Sequence, residues 1–111
     1  MPKLQTKTCT PCQSKTPKLN AMEISTLLEE VPGYTLLDVN GVEQISKEYP
    51  FKNFKEALQF TNMVAEIAEE ENHHPQIILE WGKVTVSWWT HSVEGLHTND
   101  FIMAAKTDRI K

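Results

Sequence analysis

The stretch Asn53–His91, NFKEALQFTNMVAEIAEEENHHPQIILEWGKVTVSWWTH, decides the fold, because the period of its apolar residues changes once, at a proline. In its first half Phe54, Ala57, Leu58, Thr61, Val64, Ala65 and Ala68 recur at three- and four-residue spacing, and Phe60, Met63 and Ile67 widen the stripe. This predicts a long helix from Asn53 to about Asn72, with an apolar face broad enough to cover a sheet. Pro75 pushes the residue before it out of the helical region, so His73 and His74 belong at or just past the helix C-terminus. Beyond it, Gln76–Trp81 and Lys83–Thr90 read as two strands of a hairpin pivoting on Gly82. On the second strand Val84, Val86 and Trp88 share one face, and Thr85, Ser87, Trp89 and His91 share the other.

Working outward, Asn20-Ala21-Met22-Glu23 is a helix start, with an Asn cap and an acid at the third helical position. Ile24, Leu27 and Leu28 extend it as a short helix ending near Pro32-Gly33. Tyr34–Val39 and Val42–Tyr49 are strands on either side of Asn40-Gly41, a strong hairpin-turn pair. At the other end Thr98 can cap a last helix through about Thr107, with Asp100 in its first turn and Phe101, Ile102, Ala104 and Ala105 as apolar contacts. The order α-β-β-α-β-β-α predicts an α+β fold: a four-stranded antiparallel sheet with three helices packed on one face. The uncovered face would carry the Trp89/His91 row, or bury it against another subunit. A sheet this apolar points to an oligomer.

At 111 residues the chain suits one domain, and its 40% hydrophobic and 23% charged residues are ordinary for a globular protein. Residues 1–18 are polar and aperiodic and read as an extended leader, leaving 19–111 as the domain. A net charge of -4 speaks against nucleic acid as the main ligand. No apolar run approaches the roughly 20 residues of a membrane span, and no apolar h-region follows Met1, so the cytoplasm is the expected compartment. Cys9 and Cys12 form a Cys-x-x-Cys pair inside the leader, without the second pair a zinc site needs and without the strand–helix setting of a redox motif.

The chemistry concentrates around the proline. His73, His74 and His91 are three of the four histidines, and histidine is the side chain suited to moving protons near neutrality. Glu66, Glu69, Glu70 and Glu71 crowd the last helical turns, where the helix dipole disfavours anions, so they need local partners. Helical register pairs Glu69 with His73 and Glu70 with His74. His73, His74, His91, Glu69 and Asp100 are also conceivable metal ligands, but His-Glu-x-x-His is absent and adjacent histidines diverge, so no metal is expected. Neither a Gly-x-Ser-x-Gly nucleophile motif nor a phosphate-cradling glycine loop occurs. Trp88 reads as core; Trp81 and Trp89 are core by default or flat walls for a heterocycle. His97 has no evident partner and reads as structural or solvent-exposed.

Glu69-x-x-x-His73-His74-Pro75, then Trp81, Thr90-His91 and Asn99-Asp100, resembles the signature of the pterin-4a-carbinolamine dehydratases. The likeness runs from about Leu19 to Lys106, takes in Phe51-Lys52-Asn53-Phe54 and Gly95-Leu96, and matches the element order. It departs at Asn72, where the family often has an acid. The resemblance implies dehydration of 4a-hydroxytetrahydrobiopterin to quinonoid dihydrobiopterin, recycling the pterin of aromatic amino-acid hydroxylation, with no cofactor. It implies His73, His74 and His91 as catalytic residues, with Glu69, Asp100 and Asn72 supporting them. Pro75, Trp81, Trp89 and Thr90 are implied as substrate contacts. A homodimer or homotetramer is implied, as is a pterin-dependent aromatic amino-acid hydroxylase as partner. The same scaffold also implies an alternative, a non-catalytic interaction or assembly factor, or a molybdopterin-related pterin-binding protein.

Overall fold

Asn20 opens the first helix with a reciprocal cap: its side chain accepts from the Glu23 amide, and Glu23 Oε1 accepts from the Asn20 amide, both at 2.9 Å. The computed structural model describes residues 18–111, so of the expected leader only Lys18 is seen, and Cys9 and Cys12 lie outside the described residues. The elements are α1 (Ala21–Leu28), β1 (Thr35–Val39), β2 (Val42–Pro50), α2 (Phe54–Glu71), β3 (Gln76–Glu80), β4 (Lys83–Trp88), a 3-10 turn (His91–Val93) and α3 (Thr98–Ile110). The expected order and the α+β class are both observed.

The strands form one sheet in the order β1-β2-β4-β3, every neighbouring pair antiparallel. The β1–β2 turn is Asn40-Gly41, both residues at positive φ (54° and 84°), as a tight hairpin of matching twist demands. Because β4 lies between β2 and β3, α2 has to carry the chain across the sheet from an inner strand to an edge. That crossing determines where its C-terminus, and so the histidine pair, ends up.

Ile45, Tyr49, Val84, Val86 and Trp88 point to the helix side and join Val64, Phe60, Ala57, Phe101 and Met103 in one core. On the opposite face the register brings Ser46 against Ser87, with Ser87 Oγ donating to Ser46 Oγ at 2.9 Å, and Glu48 against Thr85. The centre of this face is therefore polar, and its apolar residues (Leu37, Val39, Ile78) sit toward the two edge strands. It is less apolar than the sequence pattern implied. Nor does a Trp89/His91 row continue along it, because β4 ends at Trp88 and the chain turns away.

A partly buried polar cluster ties α3 to β2. The Tyr34 and Tyr49 hydroxyls lie 2.7 Å apart, Tyr49 donates to Asp108 Oδ1 at 2.6 Å, and Lys47 Nζ pairs with the same oxygen at 2.9 Å. Burial raises both tyrosines well above the ordinary phenol range. For Tyr49 the neighbouring Tyr34 adds to the effect; for Tyr34 the bond with Tyr49 opposes it and the Asp108 charge reinforces it.

Candidate active site

The C-terminus of α2 aims the two histidines apart. Asn72 adopts the left-handed conformation (φ 52°, ψ 42°), which Asn tolerates better than most residues. The amides of Asn72 and His73 then close back on Glu69 O at 3.3 Å and Ala68 O at 3.0 Å, a Schellman-type ending. Asn72 thus acts through its backbone, and its side chain is exposed. The reversal turns His73 inward, its side chain 10% exposed, and leaves His74 outside at 53%.

Each histidine has a carboxylate, but not the one that helical register suggested. His73 Nε2 lies 2.6 Å from Asp100 Oδ1, and His74 Nε2 lies 2.6 Å from Glu69 Oε1. The pairings of Glu69 with His73 and Glu70 with His74 fail because both histidines lie past the left-handed residue, where helical spacing no longer applies.

Asp100 is fully buried and accepts three hydrogen bonds. Besides His73, its Oδ2 takes the Thr90 hydroxyl at 2.8 Å and the His97 amide at 2.9 Å. It is the third residue of α3, where the dipole favours an anion. The cap of that helix is His97, not Thr98: His97 Nδ1 accepts from the Asn99 amide at 3.1 Å. His97 therefore does have a partner, and its backbone holds the far side of the carboxylate. Histidine is not among the common capping residues, so nothing local in the sequence announced this role.

Thr90 is placed by a bridge to Gly95: its amide donates to Gly95 O at 2.8 Å and Gly95 returns the bond at 3.4 Å. The loop so closed exposes His91, whose ring lies 4.8 Å from that of half-buried Trp89. Thr90, Trp89 and His91 therefore adjoin the His73–Asp100 pair through the chain, as Pro75 does directly after His74. Behind His73, on the core side, Trp88 lies parallel to the imidazole, with ring centroids 5.9 Å apart and planes 6° apart. This contact was not legible in the sequence. Trp81 is not brought to the site: it stands 69% exposed at the tip of the β3–β4 hairpin. At about 3.3 Å per residue, the length of β3 puts it about 17 Å from the strand's histidine end. Among the described residues no three His, Cys, Asp or Glu side chains group as metal ligands.

The model of the family described as pterin 4 alpha carbinolamine dehydratase matches residues 17–110. The chain belongs to this family. Two full-length relatives, provisionally named pterin-4-alpha-carbinolamine dehydratases, support the membership. The Saccharophagus degradans protein is 50% identical over 99% of this chain and 97% of its own. The Marinobacter nauticus protein is 51% identical over 99% of both. Among solved structures, a protein titled transcriptional coactivator/pterin dehydratase from Brucella melitensis superposes with a TM-score of 0.77 at 32% identity, covering 85% of this chain and 98% of that one. In this pterin dehydratase family member the expected α-β-β-α-β-β-α fold is thus matched by a solved relative. No helix among the described residues is long and apolar enough to cross a membrane.

Proposed function

We propose that this chain dehydrates 4a-hydroxytetrahydrobiopterin to quinonoid dihydrobiopterin, with His73 and His74 as its acid–base pair. The observation that carries the reading is the buried His73–Asp100 pair set beside the exposed His74–Glu69 pair, in a chain of the pterin dehydratase family. Elimination needs a proton on the leaving 4a-hydroxyl and removal of the proton from ring nitrogen N5. The C4a–O bond breaks as the C4a–N5 double bond forms, and water leaves. Two imidazoles of unlike exposure suit these two transfers.

The carboxylates specify which nitrogen works. Asp100 accepts at His73 Nε2, and Glu69 does so at His74 Nε2, so in each ring Nδ1 is the nitrogen left for the substrate. His91 assists from the rim and Trp89 offers a flat wall for the bicyclic ring, with Thr90 and Pro75 shaping the edges. A cytoplasmic setting and a pterin-dependent hydroxylase as source of the substrate belong to this reading. So does a homodimer or homotetramer, supported by the exposed apolar side chains of edge strand β1 and of α2.

The test is the decay of 4a-hydroxytetrahydropterin generated in situ by a hydroxylase, with the purified chelator-treated protein added. Acceleration is expected, and His73→Ala and His74→Ala should each reduce it by about 10²–10⁴-fold. A folded protein that leaves the decay unchanged overturns the reading.

A further inference from the structure

We propose that Trp88 is a positioning residue for His73, its buried indole being the plate that fixes the plane of the imidazole. The kinetic part of this inference rests on the dehydratase reading above; the geometric part does not. Asp100 grips His73 through one atom, Nε2, at 2.6 Å. A single hydrogen bond leaves the ring able to tilt about that contact, and tilting moves Nδ1, the nitrogen that meets substrate. A parallel aromatic surface removes this freedom. The centroid distance of 5.9 Å and the 6° angle place the pair within the range of offset aromatic stacking.

Trp88 is itself enclosed in the core. It is fully buried, and as the last residue of β4 it pairs with Ile45 of the other inner strand. The neighbouring inward positions on β4 are filled by Val84 and Val86, so Trp88 is the one ring on that face of the strand. What tryptophan supplies there is a wide flat face against His73.

Trp88→Phe and Trp88→Leu both shrink the side chain and both should lower the melting temperature, but only Leu removes the aromatic face. The expected result is a kcat about tenfold lower for W88L with KM within about twofold, and W88F close to wild type, since small misplacement of a reacting group is costly. Independently of turnover, the ring signals of His73 in 13C- and 15N-labelled protein should broaden or average in W88L and remain single and sharp in W88F. Equal losses of kcat in the two variants, or an unchanged His73 ring in W88L, overturns the proposal. If the wild type shows no dehydratase activity, the functional reading fails and the ring signals alone decide the positioning role. Should W88L not fold, Trp88→Met, closer in volume, replaces it.

Discussion

His73 Nε2 and Asp100 Oδ1 lie 2.6 Å apart although they stand 27 positions apart in the chain, so the end of α2 and the start of α3 meet at one hydrogen bond. The carboxylate is oriented by Thr90 and the His97 backbone before it reaches the imidazole. Geometry at the site therefore depends on three separate segments docking together.

Asp100→Asn preserves shape but presents an amide to groups that all donate. One of its atoms must then face a donor unpaired, or His73 must take the other tautomer. Activity should fall by about 10²–10³-fold with the fold retained, as for other misoriented acid–base groups. Asp100→Ala also strips the Thr90 and His97 donors of their acceptor, at a cost of about 3 kcal/mol of stability for breaking a buried pair. Steady-state kinetics with urea unfolding of both variants checks this; an active D100N would remove Asp100 from the mechanism.

The His74–Glu69 pair should behave differently, because Glu69 is 78% exposed and His74 53% exposed. Solvent screens such a pair, so Glu69→Gln should cost less than about 1 kcal/mol of stability. Its effect on rate should be under about tenfold and should shrink as salt rises. A salt titration of E69Q against wild type separates this from a buried role.

His97→Ala removes a helix cap while leaving the backbone amide that holds Asp100. A loss of about 1 kcal/mol is expected, restored by His97→Asn, with turnover changed only a few-fold. Thermal unfolding of the two variants decides between a capping histidine and a chemical one.

The fold was legible because its signals are local. Asn20 with Glu23, Asn40-Gly41 and the α2 stripe each specify their element from a few adjacent residues. The histidine pair was legible as a pair, but its partners were not. Asp100 reaches His73 only through tertiary docking, and the left-handed Asn72 cancels the register that linked Glu69 to His73. Trp81 and Trp88 mark the same limit. Both read as strand residues in the sequence, yet Trp81 is exposed in the hairpin turn past β3 and Trp88 backs the candidate catalytic ring. Strand pairing and loop length, not residue type, decide between those fates.

Phe54 and Leu58 stand one helical turn apart on α2 and are both exposed. If that row is an oligomer contact, light scattering at micromolar concentration should give a dimer or larger species. The double variant Phe54→Lys, Leu58→Lys should lower the mass without lowering the melting temperature of the subunit. A monomeric wild type would refute the oligomer outright.

The buried tyrosines make stability depend on pH at the alkaline end. In the folded protein Tyr34 and Tyr49 hold their protons far more tightly than in the unfolded chain, through burial first; Tyr34 and Asp108 add to this for Tyr49, and for Tyr34 the Asp108 charge adds while the Tyr49 bond opposes. Below the unfolded phenol pKa of about 10 both states are protonated and this contribution is fully present. Above it the unfolded chain releases protons that the folded one retains, so stability falls as pH rises, by up to about 1.4 kcal/mol per pH unit for each tyrosine. Urea unfolding between pH 8 and 11 should therefore show little tyrosine-linked change up to about pH 9 and a decline beyond about pH 10. Tyr34→Phe should make that decline shallower, because one of the two titrating groups is gone. An unchanged slope in Y34F would mean that Tyr34 ionises in the folded state as freely as in the unfolded chain.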